Sequence, residues 1–377
     1  MTHDFTVSRV YRIPATDRVE TGRGKIGSLG KILDRYEARR VVVATSNSVF
    51  TRTPNVERVR NALDGRDVGI FPYCRQHSPE SDIYAMMALL TEKDADAVVS
   101  IGGSSIFDTV KIAVSRNADL FGKPPIPQVA IPTTLSAGEF TFGAGYTEEE
   151  TRTKKLVMDS RVAPACVILD PEATLNTPEE LWLSSGVKAL DHALEAIWAI
   201  RPHPYASALA LEAIRLLFEH LPVSRDAGDV EARAACQFGS WMSIAGAGAS
   251  GMRLSHFLGH QIGARLHIPH GITSCILLPA VMRHLRDQTL DAQCRIAGAM
   301  GLDASGRTRE AIADAAADRL EAFIGDLDLP NTIAAAGGDA GDVDAITEAS
   351  FAAAQSLGLA QDLPDGADSI RRILQGR

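Results

Sequence analysis

Apolar positions follow two regimes along this chain. Through the first 170 residues they come in short, nearly continuous runs: Val41-Val42-Val43-Ala44, Ala97-Val98-Val99-Ser100-Ile101, Val129-Ala130-Ile131 and Cys166-Val167-Ile168-Leu169. Each run ends in residues that favour turns: Thr45-Ser46-Asn47, Gly102-Gly103-Ser104-Ser105, Pro132-Thr133-Thr134 and Asp170-Pro171. Between the first two, Ser81 to Glu92 places Ile83, Met86, Met87 and Leu90 on one helical face. Continuous apolar strands alternating with helices predict a parallel sheet covered on both faces. A loosely alternating stretch, Asp4 to Glu20, predicts an added antiparallel edge.

Beyond residue 172 the strand pattern stops. Helical periodicity takes over in Leu181–Ile200, Tyr205–Leu221, Asp229–Ala247, Arg307–Ile324 and Val343–Ser356, rich in alanine and punctuated by prolines such as Pro202, Pro222, Pro269, Pro279 and Pro330. The expectation is an α/β domain over residues 1–171 followed by an all-α domain over 172–377.

Composition narrows the function classes. The chain has 377 residues, 45% hydrophobic and 23% charged, which excludes a disordered protein. Its net charge of −9 argues against a nucleic-acid or anionic-membrane partner. No apolar run reaches the roughly 18 residues a membrane span needs, and no signal peptide is evident at Met1-Thr2-His3-Asp4. The cysteines Cys74, Cys166, Cys236, Cys275 and Cys294 are scattered without CxxC spacing, so reduced thiols and a cytoplasmic location are expected.

Three features carry candidate chemistry. Ile101-Gly102-Gly103-Ser104-Ser105 ends a buried strand and opens a helix, an arrangement whose exposed N–H groups can receive anionic oxygen; it is also an ordinary capped turn. Pro132-Thr133-Thr134-Leu135-Ser136-Ala137-Gly138-Glu139 follows another strand and could line the same crevice. The histidines are sharper. His256 and His260 share a helix face, His267 and His270 follow, and upstream Lys188 and His192 form another i, i+4 pair on a helix opening near Ser184-Ser185-Gly186. A lone histidine is most often a packing residue; four between 256 and 270 beside Gly and Pro breaks is a stronger signal.

Taken together, these segments resemble the iron-containing alcohol dehydrogenase family, of dehydroquinate-synthase-like fold. The resemblance runs from about Gly22 to Arg286 and rests on Gly102-Gly103-Ser104-Ser105-x-x-Asp108-x-x-Lys111, Pro132 to Glu139, His192-Ala193-Leu194-Glu195-Ala196, and His256-x-x-x-His260 followed by Pro269-His270-Gly271 and Leu278-Pro279-Ala280-Val281-Met282-Arg283. It implies a Rossmann-like parallel sheet plus an all-α domain, with NAD(P)-dependent hydride transfer between them, acting on CH–OH or CH–CH donors. NAD or NADP would be held by Ser46, Gly102, Gly103, Ser104, Ser105, Asp108, Thr133, Thr134 and Ser136. The family's three metal-binding histidines carry over to His192, His256 and His270, and its further active-site histidine to His260.

The family's metal-binding aspartate does not carry over: that position is Lys188, and Asp191 lies roughly 100° from His192 around the helix. An ammonium beside three imidazoles opposes a dication, so iron or zinc is left open. This departure resembles the maleylacetate reductase branch, as does Gln76-His77-Ser78-Pro79-Glu80. The expectation is a reductase of a small carbonyl or oxo-acid, with Lys188, His256, His260 and His270 catalytic and the Lys188 ammonium in place of the metal. Alternatives are a metal-dependent dehydrogenase of simple alcohols, a dehydroquinate-synthase-like lyase and a non-catalytic nucleotide binder. Lys188 pairing with a carboxylate or reaching solvent is the plainer role. A homodimer is an open expectation. Finally, no Asp or Glu occurs from Ala232 to Arg286, a stretch holding Arg233, Arg253, Arg265, Arg283, Arg286 and five histidines; this predicts a positive wall and an anionic substrate.

Overall fold

The computed structural model describes residues 7–151, 153–199, 202–248 and 253–376. The strands are β1 (Arg18–Thr21), β2 (Val41–Ala44), β3 (Asp67–Phe71), β4 (Ala97–Gly102), β5 (Gln128–Pro132), β6 (Gly143–Glu148), β7 (Thr153–Met158) and β8 (Cys166–Leu169). Six of them form one sheet in the order β1-β8-β5-β4-β2-β3, every neighbouring pair parallel. With them run α1 (Leu29–Arg35), α2 (Asn47–Arg52), α3 (Asn55–Ala62), α4 (Glu80–Glu92) and α5 (Ser104–Phe121). Although β2 is apolar throughout, its side chains still alternate. Val41 and Val43 join Ile32, Leu33 and Val59 on one face, while Val42 and Ala44 join Met86, Leu90 and Val110 on the other. This two-sided burial is why the strands read as unbroken apolar runs.

The edge differs from expectation. β1 pairs with β8 in parallel, Arg18 opposite Cys166, so the antiparallel edge predicted within Asp4–Glu20 is corrected. The first residues of that stretch lie outside the described ones. Loose alternation shows that one face is half-buried but carries no strand direction; the partner decides that. The antiparallel pair is instead β6–β7, a separate hairpin.

The helical part comprises α6 (Glu179–Ile197), α7 (Pro204–His220), α8 (Val230–Ser243), α9 (Leu254–Leu266), α10 (His270–His284), α11 (Leu290–Ala299), α12 (Arg309–Asp326), α13 (Ala340–Ser356) and α14 (Ala367–Leu374). Residue 200, included in the predicted first helix, lies outside the described residues. Contacts divide the chain into one unit of 13–177 with 227–237, and another of 7–12, 178–226 and 238–376. No described helix is long and apolar enough to cross a membrane. Pro279, read from sequence as a helix break, lies inside α10, whereas Pro269 is its N-cap.

Candidate functional site

The first group of candidate residues sits at the carboxyl ends of three adjacent strands, β2, β4 and β5. The chain steps outward from β2 to β3 and then returns to the other side of β2 as β4, which makes the β2/β4 boundary a topological switch point. Thr45 Oγ1 donates to Ile101 O at 2.8 Å, and the Thr133 N–H donates to Gly102 O at 2.9 Å, so the three strand ends are tied side by side. Gly102 has φ +141°, and a Cβ there would stand 2.2 Å from Ile106 Cδ1. Only glycine turns the chain this tightly into α5.

Gly103 caps α5 without a side-chain hydrogen bond, and the Ser104 Oγ is buried with no partner among the described residues. An uncapped helix start beside an orphaned hydroxyl fits an anionic oxygen, and so fits the pyrophosphate of a dinucleotide. Ser105 Oγ accepts the His77 N–H, and Ser78 Oγ donates to Ser105 O, which packs the 76–80 loop on this helix start. Thr134 Oγ1 lies 3.3 Å from Ser136 Oγ, and Ser46 caps α2 through Val49 N. Asp108 has one carboxylate oxygen committed to the fold, accepting the Gly145 N–H at 3.0 Å.

The second group is organised by α6. From Trp182 to Ile197 every residue is buried, yet Lys188, Asp191, His192 and Glu195 recur at helical spacing on it. A polar stripe on a helix buried all round must find partners inside the protein. Lys188 Nζ donates to Asp191 Oδ2 at 2.8 Å and to His256 Nδ1 at 2.9 Å. Ser274 Oγ on α10 donates to the same Asp191 oxygen at 2.7 Å. That reach depends on Gly271, where a Cβ would lie 2.5 Å from Ser184 O, so only glycine lets α10 start hard against α6. The rings continue the cluster: His192 and His256 centroids lie 5.8 Å apart, His256 and His260 4.7 Å, and His260 and His270 4.7 Å. His267 does not join this chain of rings; it ends α9 in the left-handed conformation.

The electrostatics follow from burial. Burial works against the Asp191 carboxylate, but Lys188 and Ser274 outweigh it and hold the carboxyl below its usual range. Burial, reinforced by the Lys188 charge, takes His192 down to about 3, and the same causes with the neighbouring histidines hold His256 well below its ordinary value. Burial, then the Asp191 charge, raises the Glu195 carboxyl, while the Arg253 and His256 N–H groups accepted by its two oxygens favour the ionised form. An ammonium only donates, so His256 Nδ1 must accept, and its proton resides on Nε2.

This arrangement does not fit a divalent cation. With Nδ1 occupied and Nε2 protonated, His256 has no lone pair left for a metal. Lys188 adds positive charge beside His256, and Asp191 is spent on Lys188. Among the described residues no three His, Cys, Asp or Glu side chains are placed to hold an ion, so His192, His256 and His270 do not form the expected ligand set.

The predicted positive wall is also corrected. Arg253 is paired with Asp362, Arg265 with Asp342, Arg283 with Asp318 and Glu321, and Arg286 with Asp287 and Asp314. Arg233 is buried on Thr174 O. Most of these carboxylates come from segments beyond residue 286, which a local gap in acidic residues cannot reveal. Sequence reasoning offered a carboxylate partner for Lys188 but did not name Asp191, although the i, i+3 spacing of 188 and 191 allowed it, and it missed Ser274.

Comparison with known proteins identifies the family. The profile described as iron-containing alcohol dehydrogenase matches residues 16–171, and that of the Fe-containing alcohol dehydrogenase family, C-terminal, matches 182–375. The chain is 30% identical to an NAD-dependent methanol dehydrogenase of Bacillus methanolicus over 88% of this chain and 90% of that one. It is 31% identical to a maleylacetate reductase of Sphingobium indicum over 76% and 78%. Among solved structures, a 1,3-propanediol oxidoreductase superposes with TM-score 0.90 at 22% identity, covering 98% of this chain and 100% of that one. The maleylacetate reductase of Agrobacterium tumefaciens superposes at 0.82 with 27% identity, covering 98% of each. A glycine-gated helix start on a parallel sheet and an α6–α9–α10 histidine cluster thus stand within matches spanning nearly the whole chain, which belongs to the iron-containing alcohol dehydrogenase family and is an NAD(P)-dependent oxidoreductase.

Proposed function

We propose that this protein reduces a small carbonyl or oxo-acid in the manner of a maleylacetate reductase, with Lys188 doing the work of the family's metal. The observation that carries the proposal is the Lys188 ammonium held between Asp191 and His256. Among the described residues these partners take two of its three protons, leaving one for a substrate oxygen. Gly102, Gly103, Ser104 and Ser105 would hold the pyrophosphate of a nicotinamide cofactor bordered by Ser46, Thr133, Thr134 and Ser136, and that cofactor would supply the hydride. Lys188 meets the carbonyl oxygen and stabilises the negative charge that develops there. The His256 Nε2–H, fixed by the Lys188 contact at Nδ1, is a second donor, and His260 and His270 continue the ring chain. The product alcohol takes its proton through these donors. A partner subunit and the preference between NADH and NADPH are not needed for this reading.

Oxidation of NADH and NADPH, followed by absorbance against aldehydes, ketones and oxo-diacids, tests it with EDTA or with added iron or zinc. The expected result is turnover of an oxo-acid or ketone that EDTA leaves unchanged and that Lys188→Ala lowers about 100-fold or more. Full activity in Lys188→Ala, or activity restored to the EDTA-treated enzyme only by metal, overturns the proposal.

A further inference from the structure

The helix that carries His256 and His260 cannot complete its own first turn. An α-helix begins with N–H groups that lack intrahelical acceptors, and a capping side chain usually receives one of them. The N-cap of α9 is Arg253, whose side chain makes no cap hydrogen bond. The acceptor comes from another helix. Glu195 Oε2 accepts the Arg253 N–H at 2.8 Å, and Glu195 Oε1 accepts the His256 N–H at 3.2 Å. In a capping box two side chains of the same helix share these two tasks. Here one buried carboxylate from α6 does both, one oxygen to each N–H.

The Arg253 side chain then leaves the helix and locks the same corner from outside. Its Nε donates to Asp362 Oδ2 at 2.7 Å, an Nη donates to Asp362 Oδ1, and the other Nη donates to the Trp198 carbonyl that closes α6. Asp362 is wholly buried, and its own carbonyl oxygen lies 2.7 Å from His284 Nε2 at the end of α10. A bidentate guanidinium–carboxylate pair in a dry setting has a narrow range of geometry. It therefore fixes direction as well as distance.

We infer that Glu195 is a positioning residue for His256 and His260, and that the Arg253–Asp362 pair makes the chain's C-terminal segment part of the active-site scaffold. The carboxylate sets where α9 starts and the arginine sets how it leaves α6; together they decide where the two imidazoles stand. This rests on the reading of His256 and His260 as site residues and not on any role for Lys188.

The test uses the full chain, with turnover expressed per nucleotide-binding site and measured well below the unfolding temperature. In Glu195→Gln the amide NH2 faces one of the two N–H donors, so α9 shifts; kcat falls about 10- to 100-fold while the KM for the nicotinamide cofactor stays within about twofold. Asp362→Asn keeps the α6 carboxylate and gives a smaller loss of the same kind. In protein labelled at histidine, the ring resonances of His256 and His260 move in both variants, and those of the remote His220 do not. Unchanged kcat per site with unmoved His256 and His260 resonances overturns the inference, because a purely structural residue would lower stability alone. If Glu195→Gln fails to fold, Asp362→Asn decides by the same readouts. His256→Ala separates the two readings: full turnover there defeats the site itself, whereas loss there beside a normal Glu195→Gln defeats only the positioning role.

Discussion

Among the described residues two lysines are buried, one in each unit, and they are handled differently. Lys111 on α5 has no exposed surface, and its Nζ donates to Gly138 O at 2.7 Å, Thr141 Oγ1 at 3.1 Å and Gly143 O at 3.1 Å. All three protons are taken by neutral oxygens of the hairpin and the strand-end loop, so the ammonium is a structural tie. Burial lowers its pKa, against the opposing charges of Asp108 and Glu139. Lys188 on α6 is nearly as buried, but its partners are a carboxylate and an imidazole, and one proton has no acceptor among the described residues. A saturated buried lysine holds the fold; one with an unfilled proton beside His256 is a candidate for chemistry.

That contrast is broken most directly by removing each ammonium. Lys188→Ala should lower kcat per folded molecule about 100- to 1000-fold, the scale of deleting a donor to a developing oxyanion, and also cost stability because it leaves the buried Asp191 without its cation; steady-state kinetics and calorimetry measure both. Lys111→Met should lower stability alone. It removes three hydrogen bonds from a buried site and the charge facing Asp108 and Glu139, and costs about 3 kcal/mol of stability in denaturant titrations, with turnover per folded molecule retained. Equal losses of activity in both variants would erase the distinction.

A finer test uses pH. Burial raises the Glu139 carboxyl from 4.5 to about 7, with the nearby Lys111 opposing the shift. Below pH 4.5 the group is neutral both folded and unfolded, and no penalty exists. As pH rises toward 7 the unfolded chain ionises first, so stability is lost and the loss levels off above 7. Glu139→Gln should therefore match the wild type near pH 4 and exceed it by about 2–3 kcal/mol at pH 8, read from urea midpoints at the two pH values. The smallest effect is expected at Ser274, one of two donors to Asp191. Ser274→Ala should cost about 1 kcal/mol of stability and a few-fold in kcat, because Lys188 keeps its ion pair.

Much of the α/β unit was legible because its signals are local. The run Cys166–Leu169 is β8 residue for residue, and Val41–Ala44 is β2. Asp67–Phe71 was not recognised as β3, since Gly69 interrupts it and its burial is only partial at most positions. The arginines of the acid-free stretch were misread because charge balance was judged along the chain. Arg253 finds its carboxylate 109 residues away and Arg283 finds one 35 residues away.

The sequence by itself determined the strand runs, the glycine that turns β4 into α5, and the order of motifs that marks the family, since each depends on conformational preferences over a few neighbouring residues. It also placed Lys188 where the family has an aspartate. What Lys188 does was decided only by tertiary structure. Ion pair, solvent-facing cation and electrophile are the same residue with different neighbours, and those neighbours arrive from 68 residues away at His256 and, through Asp191, from 83 residues away at Ser274. Packing of α9 and α10 on α6 brings them there, because a buried ammonium must find acceptors and a buried carboxylate donors. The result is a buried ion pair between Lys188 and Asp191 beside His256.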